Sequence, residues 1–282
     1  MPQSTFASPN TSNIPNVLTI AGSDSGGGAG IQADIKAISA TGSFACSVIT
    51  ALTAQNTQGV DAIFPVSAEF IGQQLDSIFS DINISAVKIG MLNDSDVIEV
   101  IAEKLAHYNL MNVVLDPVMV ATSGDPLIQP AAIQTLKEKL IPLVDLITPN
   151  LPEAGLLIGE PEPKSESEIE GFIEKLKAHS ELHKVDILLK GGHFKGEESR
   201  DWLIQRNQTA VYTHQRIATK NTHGTGCTLS SAIASYLAQG FDLTEAIGHA
   251  KQYLSNALTH ADELNVGKGS GPVHHFYTSA DK

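Results

Sequence analysis

Val17-Leu18-Thr19-Ile20-Ala21-Gly22-Ser23-Asp24-Ser25-Gly26-Gly27-Gly28-Ala29-Gly30-Ile31 decides how this chain folds. Val17 to Ala21 is a β-branched, apolar run that reads as a strand. Gly22 to Gly30 is a glycine-rich turn, and from Ile31 to Ala40 apolar Ile31, Ile35 and Ile38 recur at helical spacing. Strand, tight loop and helix open a βαβ unit. The same alternation continues: strands are expected at Phe44–Leu52, Val60–Val66, Ala86–Gly90, Asn112–Asp116, Leu143–Thr148 and Val185–Lys190. Two further strand-like runs are Asp201–Gln205 and Ala210–Ile217. Helices are expected at Phe70–Phe79, Val97–His107 and Ala131–Leu140, and after Thr228. Capping boxes are read at Ser165–Glu168 and at Asp242–Glu245. Strands separated by helices imply right-handed crossovers and a mostly parallel sheet covered on both faces, an α/β three-layer domain. The paired strands at 44–66 break the alternation and are expected to form a lid or edge extension.

The 282 residues are enough for one such domain, expected over 17–282 behind a flexible N-terminal tail at 1–16 rich in Ser, Thr, Asn and Pro. No apolar run approaches the ~20 residues that cross a bilayer, so no membrane partner is expected. A net charge of −13 argues against a nucleic-acid partner, which needs clustered Lys and Arg. The only cysteines, Cys46 and Cys227, give no disulfide framework and fit a reducing cytoplasm. Cys46, inside an apolar strand, reads as an inert packed thiol.

In a parallel sheet, ligands bind beyond the carboxyl ends of the strands. Those ends carry Gly22 to Gly30, Gly90-Met91, Asp116-Pro117, Thr148-Pro149-Asn150 with Glu153 beyond, and Lys190-Gly191-Gly192. The first cluster misses the G-x-G-x-x-G spacing of a dinucleotide site, and no G-x-x-x-x-G-K-[ST] occurs, so a Walker-type loop is excluded. Asn150 and Glu153 stand where outer-shell side chains could orient the waters of Mg²⁺, or where an N-cap and a first-turn acid commonly stand. Asp116 reads as a second outer-shell carboxylate or a turn residue, and Lys190 as a phosphate partner or a surface lysine. Asn221-Thr222-His223-Gly224-Thr225-Gly226-Cys227 leads into a helix. The unpaired N–H groups of a helix start, here at Gly224, Thr225 and Gly226, suit a transferring phosphoryl group. The same field is expected to lower the pKa of Cys227 and make it a candidate base. The histidines and cysteines lack the spacing of a zinc site.

These stretches, with Gln32-Ala33-Asp34, Thr50 to Thr57, Lys88 to Leu92 and Gly271 to His275, resemble the hydroxymethylpyrimidine/phosphomethylpyrimidine kinases of thiamine biosynthesis, from about Val17 to about Phe276. That family belongs to the ribokinase-like superfamily. The resemblance implies two successive phosphorylations of 4-amino-5-hydroxymethyl-2-methylpyrimidine from ATP with Mg²⁺, and a homodimer. It implies that Gln55 bonds the pyrimidine edge, that Asp34, Gly22, Ala29, Thr53 and Met91 line its pocket, and that Asn150 and Glu153 hold metal-bound water. Lys190 is expected to face the nucleotide. Sugar kinases of the superfamily carry Asp where this chain has Cys227, which narrows the substrate class and leaves the base open. Pyridoxal kinase, acting on another flat ring with a hydroxymethyl, or a kinase that accepts both rings, is the nearest competing expectation. A non-catalytic binding protein and a dinucleotide oxidoreductase are weaker ones, opposed by the intact Gly-Thr-Gly-Cys and Asn-x-x-Glu sequences and by the glycine spacing respectively.

Overall fold

The computed structural model describes residues 13–119, 128–192, 194 and 196–279. Most of the expected N-terminal tail lies outside them. The first strand, β1 (Asn16–Asp24), runs through the opening motif into α1 (Gly30–Ala40). There follow β2 (Phe44–Asn56), β3 (Gly59–Pro65), α2 (Ala68–Phe79), β4 (Ile84–Ile89), α3 (Ser95–Tyr108), β5 (Val113–Leu115) and α4 (Pro130–Thr135). Next come β6 (Leu146–Ile147), α5 (Leu151–Ile158), α6 (Ile169–His183), β7 (Asp186–Lys190), β8 (Glu198–Ile204), β9 (Thr209–Gln215), α7 (Thr225–Ala238) and α8 (Leu243–Thr259).

The nine strands form one sheet in the order β3-β2-β1-β4-β5-β6-β7-β8-β9. The neighbours from β2 to β7 pair in parallel, and β3, β8 and β9 join antiparallel at the edges. Alternation along β1 and β4 builds both faces. Leu18, Ile20, Val87 and Ile89 enter a core with α2, α3, α5 and α6, while Val17 and Ala86 enter a second core with α1, α7 and α8. Cys46 is buried in the first core, and burial raises its thiol pKa. The three-layer α/β expectation holds.

Several local expectations do not. The helix read at 131–140 gives way after Thr135 to a π-helical turn, Leu136–Leu140. Ser165 does not cap a helix: its hydroxyl bonds Ser167, and Glu168 instead accepts the N–H of Lys164 at 2.9 Å. The Asp242–Glu245 capping box forms as read. Ile35 and Phe70, read as apolar-face residues, are 36% and 54% exposed and sit at the margins of their stripes.

Two features of this topology locate the site. Chain order reverses direction across the sheet at β1 and β4, and a crevice opens at such a switch point. The β2–β3 hairpin extends the sheet at one edge and places Gln55 and Thr53 over that crevice.

Candidate active site

A cleft of about 730 Å³ lies along the carboxyl ends of the parallel strands. At one end it is lined by Gly22, Ala29, Thr53, Gln55 and Met91, and at the other by Asp116, Asn150, Glu153 and Lys190. Gly224 to Cys227 lie on the wall between them. The first glycine turn and the anion loop are in direct contact. Gly224 is left-handed (φ 80°), and a Cβ on it would overlap the carbonyl oxygen of Gly28.

The turn after β1 is organised by Asp24. Its carboxylate accepts N–H groups from Gly26 at 2.7 Å, Gly28 at 3.0 Å and Ala29 at 2.8 Å, and lies 2.9 Å from His223 Nε2. Burial works against the charge, but His223 and these N–H groups outweigh it and hold the acid below its ordinary pKa. The backbone N–H of His223 donates to Gly271 O at 3.1 Å, and the N–H of Gly271 donates to Asn221 Oδ1 at 3.1 Å. The same C-terminal segment grips the hairpin tip, where Lys268 and Gly269 N–H groups donate to Thr57 Oγ1 and Ser270 N–H to Thr57 O. One strap therefore ties the anion loop to the hairpin that carries Gln55.

Asp34, expected on the substrate wall, lies behind it. It is fully buried between α1 and β4, where Lys88 Nζ donates to both its oxygens at 2.9 and 2.8 Å. Thr19 Oγ1 and Ser231 Oγ complete its partners at 2.6 and 2.8 Å. Burial opposes the Lys88 charge, yet Asp34 more than compensates and raises its pKa. A buried charge survives only when paired and hydrogen-bonded in this way. Lys88 reaches the cleft floor beneath Cys227 and Asp116.

At the other end Lys190 Nζ lies 2.7 Å from Asp116 Oδ1, which also accepts the Thr148 hydroxyl at 3.0 Å. Burial alone would depress the Lys190 ammonium, but Asp116 and Glu153 keep it above the usual lysine value. Asn150 and Glu153 form a reciprocal capping box at the start of α5, with Glu153 N–H to Asn150 Oδ1 at 2.9 Å and Asn150 N–H to Glu153 Oε2 at 2.8 Å. The capping reading of this pair is the one the structure shows. Burial, with Asp116 adding to it against the pull of Lys190, pushes the Glu153 carboxyl up to about 7. Two acids facing one ammonium leave a local surplus of negative charge that a divalent cation would relieve. Among the described residues no cluster of three or more His, Cys, Asp or Glu could hold a metal directly. An amide and two carboxylates are hard oxygen donors of the kind that orient the waters of an ion such as Mg²⁺.

The anion loop carries one correction. Thr225, Gly226 and Cys227 are the first three residues of α7, and Gly224 is its N-cap. The Cβ of a residue at 226 would stand 3.4 Å from Lys190 Nζ and 3.3 Å from Asp116 Oδ2, so the helix start faces the Lys190–Asp116 end of the cleft. Cys227 was expected to have a lowered pKa there. Instead burial, reinforced by the negative charges of Asp34 and Asp116, pushes its thiol up to about 11 against the opposing pull of Lys88. Desolvation of the anion exceeds the helix-terminus effect.

Residues 24–274 match the phosphomethylpyrimidine kinase family model. The chain belongs to that family. It is 50% identical over 262 residues to the hydroxymethylpyrimidine/phosphomethylpyrimidine kinase of Escherichia coli (strain K12), across 93% of this chain and 97% of that protein. Phosphomethylpyrimidine kinase from Clostridium difficile 630 is similar in structure, with TM-score 0.73 and 43% identity over 86% of this chain and 99% of that one. An ADP complex of Bacillus subtilis pyridoxal kinase has TM-score 0.84 and 35% identity over 93% and 98% of the two chains. The fold is that of the ribokinase-like kinases, and the chain is a kinase of thiamine biosynthesis. Among the described residues, no helix is long and apolar enough to cross a membrane.

Reading the sequence missed Asp24, His223 and Lys88. Asp24 and His223 meet across 199 positions and Lys88 and Asp34 across 54, which no local motif reveals. One signal was available: a lysine between Val87 and Ile89 in a strand apolar enough to be buried on both faces.

Proposed function

We propose that the protein phosphorylates 4-amino-5-hydroxymethyl-2-methylpyrimidine from ATP and then extends the monophosphate to the diphosphate. The contact of Gly224 with the Gly28 carbonyl carries this reading. A ring seated on Gly22 and Ala29 with its edge at Gln55 presents a 5-hydroxymethyl to the start of α7. The outer cleft, with Ile217, Leu254 and Leu258 on its walls, suits an adenine, and its phosphates would run past Lys190 toward the same helix start.

In the first step the hydroxymethyl oxygen bonds to the γ-phosphorus of ATP while the bond to the β–γ bridging oxygen breaks and ADP leaves. In the second, an oxygen of the monophosphate takes the same part. The N–H groups at Gly226 and Cys227, lacking intrahelical acceptors, stabilise charge on the equatorial oxygens, and Lys190 stabilises it from the side. A loose transition state needs little help in removing the hydroxyl proton, which passes late to the phosphoryl oxygens. That is consistent with a Cys227 thiol that stays protonated near neutral pH. Mg²⁺ bound with the nucleotide would neutralise charge across the β- and γ-phosphates. Asn150 and Glu153, with Asp116 beside them, would orient its waters.

We place this activity in the cytoplasm, in one catalytic domain over 17–282, and in a homodimer. Exposed Leu52, Ile63 and Phe64 on the edge hairpin favour self-association, to be tested by light scattering. A second reading, pyridoxal kinase, is favoured by the close superposition on a pyridoxal kinase. Phosphorus NMR of ATP with each ring separates the two. Sequential appearance of monophosphate and diphosphate from the aminopyrimidine is expected, and turnover of pyridoxal alone would reverse the assignment.

A further inference from the structure

The reaction above makes no direct use of the His223–Asp24 pair, yet that pair controls what Gln55 offers the substrate. Asp24 is a carboxylate already accepting three backbone N–H groups, so His223 Nε2, 2.9 Å away, is the donor in their contact. The imidazole is closely packed. It packs where a Cβ on Gly28 would overlap it, and its backbone is held by Gly271.

The far end of the Gln55 amide lies 3.4 Å from the same Nε2. A nitrogen that carries a proton repels an amide N–H and attracts the amide oxygen. At the other end of the amide, Thr53 Oγ1 is 3.1 Å away and gives its own proton to Ser23 O at 2.8 Å. Thr53 is therefore free to accept from Gln55, not to donate to it. With its proton given to Asp24, Nε2 offers no lone pair to an amide N–H, so the Gln55 oxygen is the end that faces this N–H edge, while the Gln55 nitrogen donates to Thr53 Oγ1; amide orientation is properly assigned from such a network. One N–H and one oxygen lone pair then remain for the cleft, in a fixed order.

We propose that His223 is a positioning residue that fixes the hand of the Gln55 amide, and so selects a ring edge bearing an exocyclic amino donor beside a ring-nitrogen acceptor. The 4-oxo analogue of the pyrimidine reverses donor and acceptor. An amide free to turn over could follow that reversal, whereas one held by His223 and Thr53 cannot. This rests on the kinase function proposed above.

The test is the ratio of kcat/KM for the 4-amino and 4-oxo pyrimidines, which a general loss of fold would not change. The wild-type ratio is expected at ~10² or more, because reversal leaves buried polar groups unpaired. His223→Phe removes the donor and should lower the ratio at least ~10-fold, mostly through KM. His223→Gln restores an N–H and should restore the ratio. If the bulk of Phe prevents folding, His223→Leu carries the same expectation. A wild-type ratio kept by the Phe or Leu enzyme overturns the inference while leaving the kinase function standing. A wild-type enzyme that turns over neither pyrimidine overturns the function, and this inference with it.

Discussion

At the substrate end of the cleft the Asp24 carboxylate takes three backbone N–H groups and a histidine, whereas at the phosphoryl end Asp116 and Glu153 face one ammonium. The first cluster is complete without a ligand, and its acid is held in the charged form. The second is short of positive charge, and Glu153 resists ionisation. The substrate end is built to read a shape and a bonding pattern, which rewards rigidity in advance of binding. On the function proposed above, the phosphoryl end is completed by what it binds, a divalent cation offsetting the acids that Lys190 leaves unbalanced. Between them stands Gly224, whose lack of a side chain lets the start of α7 touch the turn after β1.

Gly224 is where the largest loss is expected. Gly224→Ala puts a Cβ into the Gly28 carbonyl and onto a left-handed backbone, so the helix start moves away from the seated hydroxymethyl. Reacting groups displaced by about an ångström lose ~10²-fold, and misaligned N–H donors lose a comparable factor, so kcat/KM should fall ~10³-fold or more. Steady-state kinetics alongside circular dichroism checks this. Native secondary structure with near-normal turnover would show that the two ends need not touch.

Lys190→Gln should come next, lowering kcat by ~10²-fold with less effect on pyrimidine KM. If the loss fell on pyrimidine binding instead, the division of the cleft into two ends would be wrong. At Glu153 the loss is smaller in turnover and visible in stability. Glu153→Gln keeps the capping geometry and should raise the Mg²⁺ requirement ~10-fold. The raised carboxyl means that the folded protein binds more protons than the unfolded chain between about 4.5 and about 7. Ligand-free stability should therefore fall as pH rises through that window, by on the order of 3 kcal/mol, and the variant should flatten the decline. Thermal melts across pH 5–8, without nucleotide or Mg²⁺, measure it. A wild-type profile that rises with pH would remove the argument for a waiting cation site.

How much of this was readable in the sequence follows the same division. Strand ends, the anion loop and the Asn150–Glu153 spacing were legible because each is a local pattern with a local cause: a helix start, a cap or a glycine where a side chain would collide. A mostly parallel sheet covered on both faces followed from the alternation, but the order of its strands is set by long-range pairing and came only with the structure. Asp34 could not be placed, because its partner Lys88 lies 54 positions away on another element and the two find each other only after folding. Ser165 failed for the opposite reason. Its local pattern was correct, but Glu168 found a better donor one residue earlier, at Lys164.

Cys227 is the position where a local argument met a non-local answer, and the smallest effect is expected there. A helix start favours a thiolate by a fraction of the cost of burying that thiolate beside Asp34 and Asp116. With its pKa pushed up to about 11, the residue is a neutral thiol throughout the ordinary working range. A general base typically contributes 10²–10⁴-fold, so Cys227→Ser, which keeps a small polar group on the same backbone, should cost less than ~10-fold in kcat. Alkylation by iodoacetamide should be slow at pH 7 and accelerate only well above pH 9, since the thiolate is the reactive form. Rapid alkylation at pH 7 together with a 10³-fold loss in the serine variant would make Cys227 the base. The phosphoryl end would then be pre-charged like the substrate end, and the contrast between them would disappear.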